Sequence, residues 1–206
     1  MLTIDGLAWR LTAGDALGLR RVRTFSDVAL SFVFKGIRDA SVLRDDERAK
    51  HDTALEVQQA LMEFLASDAL EPSVALFRQR PGDKATRARA APPQRVDRQL
   101  TLPQVVSVVR HLWSQMLRPD GVPGMTHGGC VKALQLHLDQ CLEAHPELVA
   151  WDTVVLDEAH DASDVTFDVI MRLVREHGKS AIVIGDVHQR IYTRLIGSNI
   201  IHIGPE

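Results

Sequence analysis

Two short stretches put carboxylates where phosphate chemistry is done. Residues 153–161 read TVVLDEAHD and residues 184–192 read IGDVHQRIY. Each apolar run ends in an acid: Asp157 with Glu158 behind it, and Asp186. In open parallel sheets ligands sit beyond the carboxyl ends of the strands, so these acids should face one crevice. An acid there suits Mg²⁺, which keeps several waters and takes one or two carboxylates beside substrate phosphates. That assigns Asp157 to a Mg²⁺ ion, through water, and Asp186 to the same cofactor site. Glu158 is placed to take a proton from an attacking water, and Gln189 to orient that water or touch a terminal phosphate. The plainer alternative is that Asp-Glu only opens a helix, where acids suit the dipole. The second acid-tipped run argues against it.

Such acids need a strand-helix-strand unit to hold them. TVVLD is β-branched and bounded by turn signals, and SAIVIGD, residues 180–186, is a second such run. Both read as strands buried on both faces. Between them VTFDVIMRLVREHG has helical period and a Gly stop. This spacing predicts adjacent parallel strands at 153–157 and 181–185. Upstream the pattern is helical, with a first helix starting near Asp5. In residues 45–66 Ala54, Val57, Leu61 and Phe64 or Leu65 recur at helical spacing, with acids in the first turn. Thr101 caps LPQVVSVVRHLWSQML, where Pro103 is tolerated in the first turn. A further helix covers roughly 129–144. The fold class is therefore α/β, helical for most of its length and strand-bearing at its end.

With 206 residues, 45% apolar and 25% charged, the chain has the composition of a soluble globular protein. No run approaches the roughly 18 apolar residues of a membrane span, and no signal-peptide pattern opens the sequence. The location expected is cytoplasmic: nucleoid-associated in a bacterium, nuclear in a eukaryote. A net charge of −3 argues against coating nucleic acid by bulk charge. One local basic stretch exists, RQRPGDKATRARAAPPQRVDR at 78–98, whose composition is that of a solvated loop. Two cysteines, Cys130 and Cys141, are too few for a disulfide framework.

The paired stretches resemble the UvrD/Rep-like superfamily 1 DNA helicases, most closely the branch that includes the F-box DNA helicase. VVLDEAHD is similar to that family's Walker B motif, usually DEAQD, and IGDVHQRIY to its motif III. TIDGLAWR at 3–10 resembles motif Ib, TxHSLAxR. HLWSQMLRPDGVPGMTHGGCVKALQL at 111–136 resembles a segment reading LW…M…MTHDGYLKLWQL, and ALEVQQALMEFLASD resembles the helical insertion between them. The resemblance implies part of a RecA-like P-loop NTPase motor domain, with a parallel sheet and a helical insertion. Residues 1–44 would belong to the motor, 45–118 to the insertion with its basic loop at 78–98, and 119–206 to the part carrying Walker B and motif III. It implies ATP and Mg²⁺ as cofactors, and single-stranded DNA and the remainder of a helicase chain as partners. Asp157 would position the metal, Glu158 would be the catalytic base and Gln189 would sense the γ-phosphate. Tyr192 would stack on DNA, an interaction tolerant of sequence. Thr3, Thr126, His127, Lys132 and Arg194 would lie near the strand.

The sequence departs from that pattern in places. The family's His-Ser in motif Ib is Asp5-Gly6, and DEAQD has become DEAHD at His160. MTHDGY has become MTHGGC, with Gly128 and Cys130. No G-x-x-x-x-G-K-[ST] stands upstream of Thr3, and Gly178-Lys179-Ser180 is a decoy, since Leu173 stands where the first Gly belongs. The 206 residues alone are therefore expected to lack appreciable ATPase activity. A second reading is a catalytically inactive remnant serving as a nucleic-acid or protein interaction module. A third is a zinc site from His127, Cys130, His137, Cys141 and His145, the last three sharing one face of a continuous helix.

Overall fold

The structure, a computed structural model, describes residues 4–13, 24–25, 30–39, 47–78, 100–118 and 125–186. Its helices are α1 (Ile4–Ala13), α2 (Leu30–Asp39), α3 (Glu47–Ala66), α4 (Val74–Arg78), α5 (Leu102–Met116), α6 (His127–Leu136), α7 (Leu138–Ala144) and α8 (Asp164–His177). Strand β1 (Thr24–Phe25) pairs parallel with β2 (Met125–Thr126), and β3 (Thr153–Leu156) pairs parallel with β4 (Ser180–Val183). The chain is thus a mixed helix-and-sheet protein built on small parallel pairs. All but the first residue of the basic stretch 78–98, and Thr3, Gln189, Tyr192 and Arg194, lie outside the described residues.

The long helix α3 forms as its apolar spacing requires. Ala54, Val57, Leu61, Phe64 and Leu65 are all buried, and they pack toward α2, α5, α6 and α8. In α5 the Gln104 side-chain oxygen accepts from the Thr101 backbone N–H at 2.8 Å, half of a capping box. Trp113 of α5 then meets Phe64 of α3 edge to face, ring centres 5.8 Å apart. One buried cluster runs from Leu7 through α3, α5 and α6 to Leu173 of α8. The boundaries expected near 44 and 118 do not interrupt it.

The expected helix over 129–144 is broken. His137 adopts φ −125° and ψ 32° between α6 and α7, so two helices replace one. The run of the first, Gly129 to Gln135, is buried throughout, which leaves it no solvated side. Thr126 starts α6 by accepting the Gly129 N–H at 2.9 Å.

The β3–α8–β4 unit matches its expected parallel geometry, with Thr153 opposite Ser180 and Leu156 opposite Val183. Burial on both faces is corrected. Val155 pairs with Ile182, and Ile184 follows two residues on, so the three share a face. They are 54%, 52% and 51% exposed. Helix α8 packs on this sheet, and among the described residues nothing covers the face that carries these three.

Candidate functional site

The two acid-tipped ends meet. The ladder continues past the strands: Ile184 N–H donates to Leu156 O at 2.8 Å, and Ala159 N–H donates back to Ile184 O at 2.8 Å. The chain leaving β3 therefore folds over the end of β4. It can do so because Glu158 takes a left-handed conformation, φ 51°, the one non-glycine residue with positive φ among the described residues. Its backbone N–H is held by Asp157 Oδ1 at 3.0 Å, and its carbonyl accepts the Asp161 N–H at 2.9 Å. A short 3₁₀ turn, Ala159–Asp161, follows, and α8 begins only at Asp164. Asp157 and Glu158 are therefore not first-turn residues of a helix, and the plainer reading of the pair loses its structural basis.

Gly185 makes the close approach possible. A Cβ at this position would sit 3.1 Å from the backbone nitrogens of both Ala159 and His160. In that gap the Asp186 N–H donates to Nδ1 of His160 at 3.2 Å. The imidazole is buried, and its Nε2 faces Glu158 Oε2 at 3.5 Å and Asp161 Oδ2 at 3.7 Å. Asp157, Glu158 and Asp186 are exposed, so three carboxylate residues ring the carboxyl end of two parallel strands, with one buried imidazole joining the two halves. Their carboxylate oxygens do not converge within direct-ligand distance of one another, so a cation here could be held by all three only through water. Asp157, Glu158 and Asp186 stand at the carboxyl ends of two neighbouring strands, and Gln189, expected beside them, lies outside the described residues. His160 is the member that sequence reasoning passed over, seen only as a variant letter in DEAHD.

The residues expected near DNA divide differently. His127 is exposed at the start of α6. Thr126 is buried in its capping role. Lys132 has no exposed surface: its ammonium donates to Ser67 O at 2.9 Å, to Gln135 Oε1 at 2.7 Å and to Ala69 O, and lies over the Phe64 ring. Burial pulls its pKa down to about 8, against the opposing pull of Asp68 and Asp168. An ammonium enclosed in this way is an interior strut in this fold and not a phosphate contact on its surface. The reason is the all-round burial of α6.

The decoy lysine is likewise spent. Lys179 donates to Trp151 O at 2.7 Å and Val149 O at 2.9 Å, behind Gly178, which closes α8 at φ 64°. The zinc reading fails on geometry. The break at His137 ends the shared helical face, Cys130 and Cys141 are buried thiols, and no three of the five side chains converge on a metal-sized site. One other trio does converge among the described residues, Asp139, Glu176 and His177. There the Arg172 guanidinium already lies 3.0 Å from Glu176 and 3.7 Å from Asp139, standing where a cation would.

No family model, curated protein or solved structure matches this chain.

Proposed function

We propose that this chain is part of the first motor domain of an ATP-dependent DNA helicase of the UvrD/Rep-like kind, RecA-like in fold. In that motor ATP hydrolysis drives translocation on single-stranded DNA. The observation that carries the reading is the joined pair of strand ends, Asp157-Glu158 and Gly185-Asp186, with Asp186 N–H on His160 Nδ1. Asp157 binds Mg²⁺ through water, Asp186 completes the nucleotide side, and Glu158 takes the proton of the attacking water. Gln189 orients that water, and Tyr192 stacks on the DNA strand. The exposed His127 belongs to the same DNA side, and Arg194 is assigned to it by its place in the sequence alone.

Phosphoryl transfer depends on grip and charge more than on bond-making groups. The reading therefore requires a P-loop in the same polypeptide. The test is the reading frame upstream of Met1 and the activity of what it encodes. An in-frame G-x-x-x-x-G-K-[ST], with DNA-stimulated ATP hydrolysis that Asp157→Ala abolishes, supports the proposal. A frame without that motif leaves a non-enzymatic interaction module. Full hydrolysis in the Asp157→Ala protein removes the metal assignment.

A further inference from the structure

An exposed carboxylate on a surface turn has many rotamers, and a base that must meet one water cannot use most of them. Glu158 has a side chain 67% exposed, on a residue already in the left-handed region. Among the described residues the side chain paired with its carboxylate is His160, which is itself only 4% exposed. The orientation of that imidazole is fixed from behind. Its Nδ1 accepts the backbone N–H of Asp186, and a ring nitrogen that accepts a hydrogen bond carries no proton. The proton of the neutral ring is then on Nε2, the atom that faces Glu158 Oε2 at 3.5 Å and Asp161 Oδ2 at 3.7 Å. Asp161 competes for that proton at the longer distance, while its Oδ1 is buried with no hydrogen-bond partner. Separations of this size tighten when a substrate closes the site.

We propose that His160 is a positioning residue for Glu158: held as the Nε2–H tautomer by the Asp186 amide, it presents that N–H to the Glu158 carboxylate and restricts where the base can point. The proposal rests on the reading of Glu158 as the base. It adds that the end of β4 sets the aim of the base at the end of β3, through one ring whose two nitrogens do different work. The side-chain lengths of Asn and Gln separate the two. The Asn carboxamide reaches the place of Nδ1 and can accept from Asp186, but has no donor near Glu158. Gln reaches the place of Nε2 and can donate to Glu158.

The experiment is NMR on the 206-residue chain. Long-range proton–nitrogen correlation reads the His160 tautomer, and three-bond couplings read the Glu158 rotamers. We expect an unprotonated Nδ1, a protonated Nε2 and one dominant Glu158 rotamer. His160→Gln should keep that rotamer, and His160→Asn should average the couplings to free-rotation values. A protonated Nδ1, averaged couplings in the unsubstituted chain, or an Asn variant as ordered as the parent would each overturn the proposal. Hydrolysis by a P-loop-bearing polypeptide with Glu158→Gln tests the base assignment separately. If turnover survives that change, the functional reading fails while the NMR result stands on its own.

Discussion

Lys132 in α6 donates its ammonium to the carbonyl of Ser67, just past the end of α3, at 2.9 Å. Gln135, one turn on, donates to Asp68 O and to Asp168 Oδ2 at 2.8 Å each, and Arg172 donates to Gln135 O at 2.7 Å. The carbonyls of the turn that follows α3 are thus satisfied by α6, and α6 is tied to α8. The helix that carries Asp168 leads on to β4. A chain of polar contacts connects the helical part of the fold to the strand pair that bears the candidate site.

Removing the Lys132 donor while keeping its volume should expose the cost of those carbonyls. Lys132→Met leaves Ser67 O, Ala69 O and Gln135 Oε1 buried without their partner. We expect a loss of about 1–3 kcal/mol, read as a lower urea midpoint at neutral pH. The same lysine sets a pH dependence. Its folded pKa of about 8 lies below the ordinary lysine value of 10.5, so between these the unfolded chain binds more protons. Stability should rise with pH across that window and fall back as pH drops through 8, by at most about 3.5 kcal/mol at about 1.4 kcal/mol per unit. The parent-minus-Met difference in urea midpoint, followed from pH 7.5 to 10.5, isolates this term. A difference that does not change with pH would contradict it.

Gly185→Ala tests the close approach of the two strand ends. A methyl 3.1 Å from two backbone nitrogens and 3.3 Å from Ala159 Cβ forces the Asp157–Asp161 turn away from β4. Overpacking of this kind costs about 1–3 kcal/mol. The specific sign is local: the Asp186 amide, now bonded to His160, should exchange its hydrogen faster while amides in α5 are unchanged. Equal protection of Asp186 in parent and variant would mean the gap is not as tight as the geometry states.

Both thiols are structural. Cys130 and Cys141 are buried thiols, and burial pushes the Cys141 thiol up to about 11. At pH 8 neither should react with an aromatic disulfide reagent in the folded chain, and both should react at once in denaturant. A native-state reaction at Cys141 on the time scale of a model thiol would show that α7 opens.

How legible this was in the sequence differs from element to element. Ala54, Val57, Leu61 and Phe64 could be placed in the core because helical periodicity is local. The parallel pairing of 153–156 with 180–183 followed from two apolar runs and a helix long enough to cross between them. Burial of both sheet faces did not follow, because an apolar run shows that a face can be covered and not that something covers it. Val155, Ile182 and Ile184 are the result. Lys132 was misjudged for the opposite reason: a charge on a helix normally marks its solvated side, and residues 129–135 of α6 have none. His160 escaped notice because the partner that fixes its ring, Asp186, lies at the end of another strand. Only the register of β3 against β4 brings the Asp186 amide to its ring.

The final prediction is catalytic. Residues 1–206 alone should show no appreciable ATPase activity, although Asp157 and Glu158 stand at the ends of their strands. A positioned base contributes about 10²–10⁴-fold, and only to a substrate that is already held. Holding the phosphates and balancing their charge carry most of phosphoryl transfer, and neither Lys132 nor Lys179 is placed for either task, since both are bound to carbonyls. In a longer polypeptide that supplies a P-loop and an arginine finger, Glu158→Gln should abolish turnover and leave nucleotide affinity within a few-fold. Steady-state hydrolysis and nucleotide titration of the two proteins measure this directly. Robust DNA-stimulated hydrolysis by the 206 residues alone, lost in Glu158→Gln, would show that some group in this chain grips phosphate after all. Full turnover by the longer Glu158→Gln protein would mean that the carboxylate facing His160 is not the base.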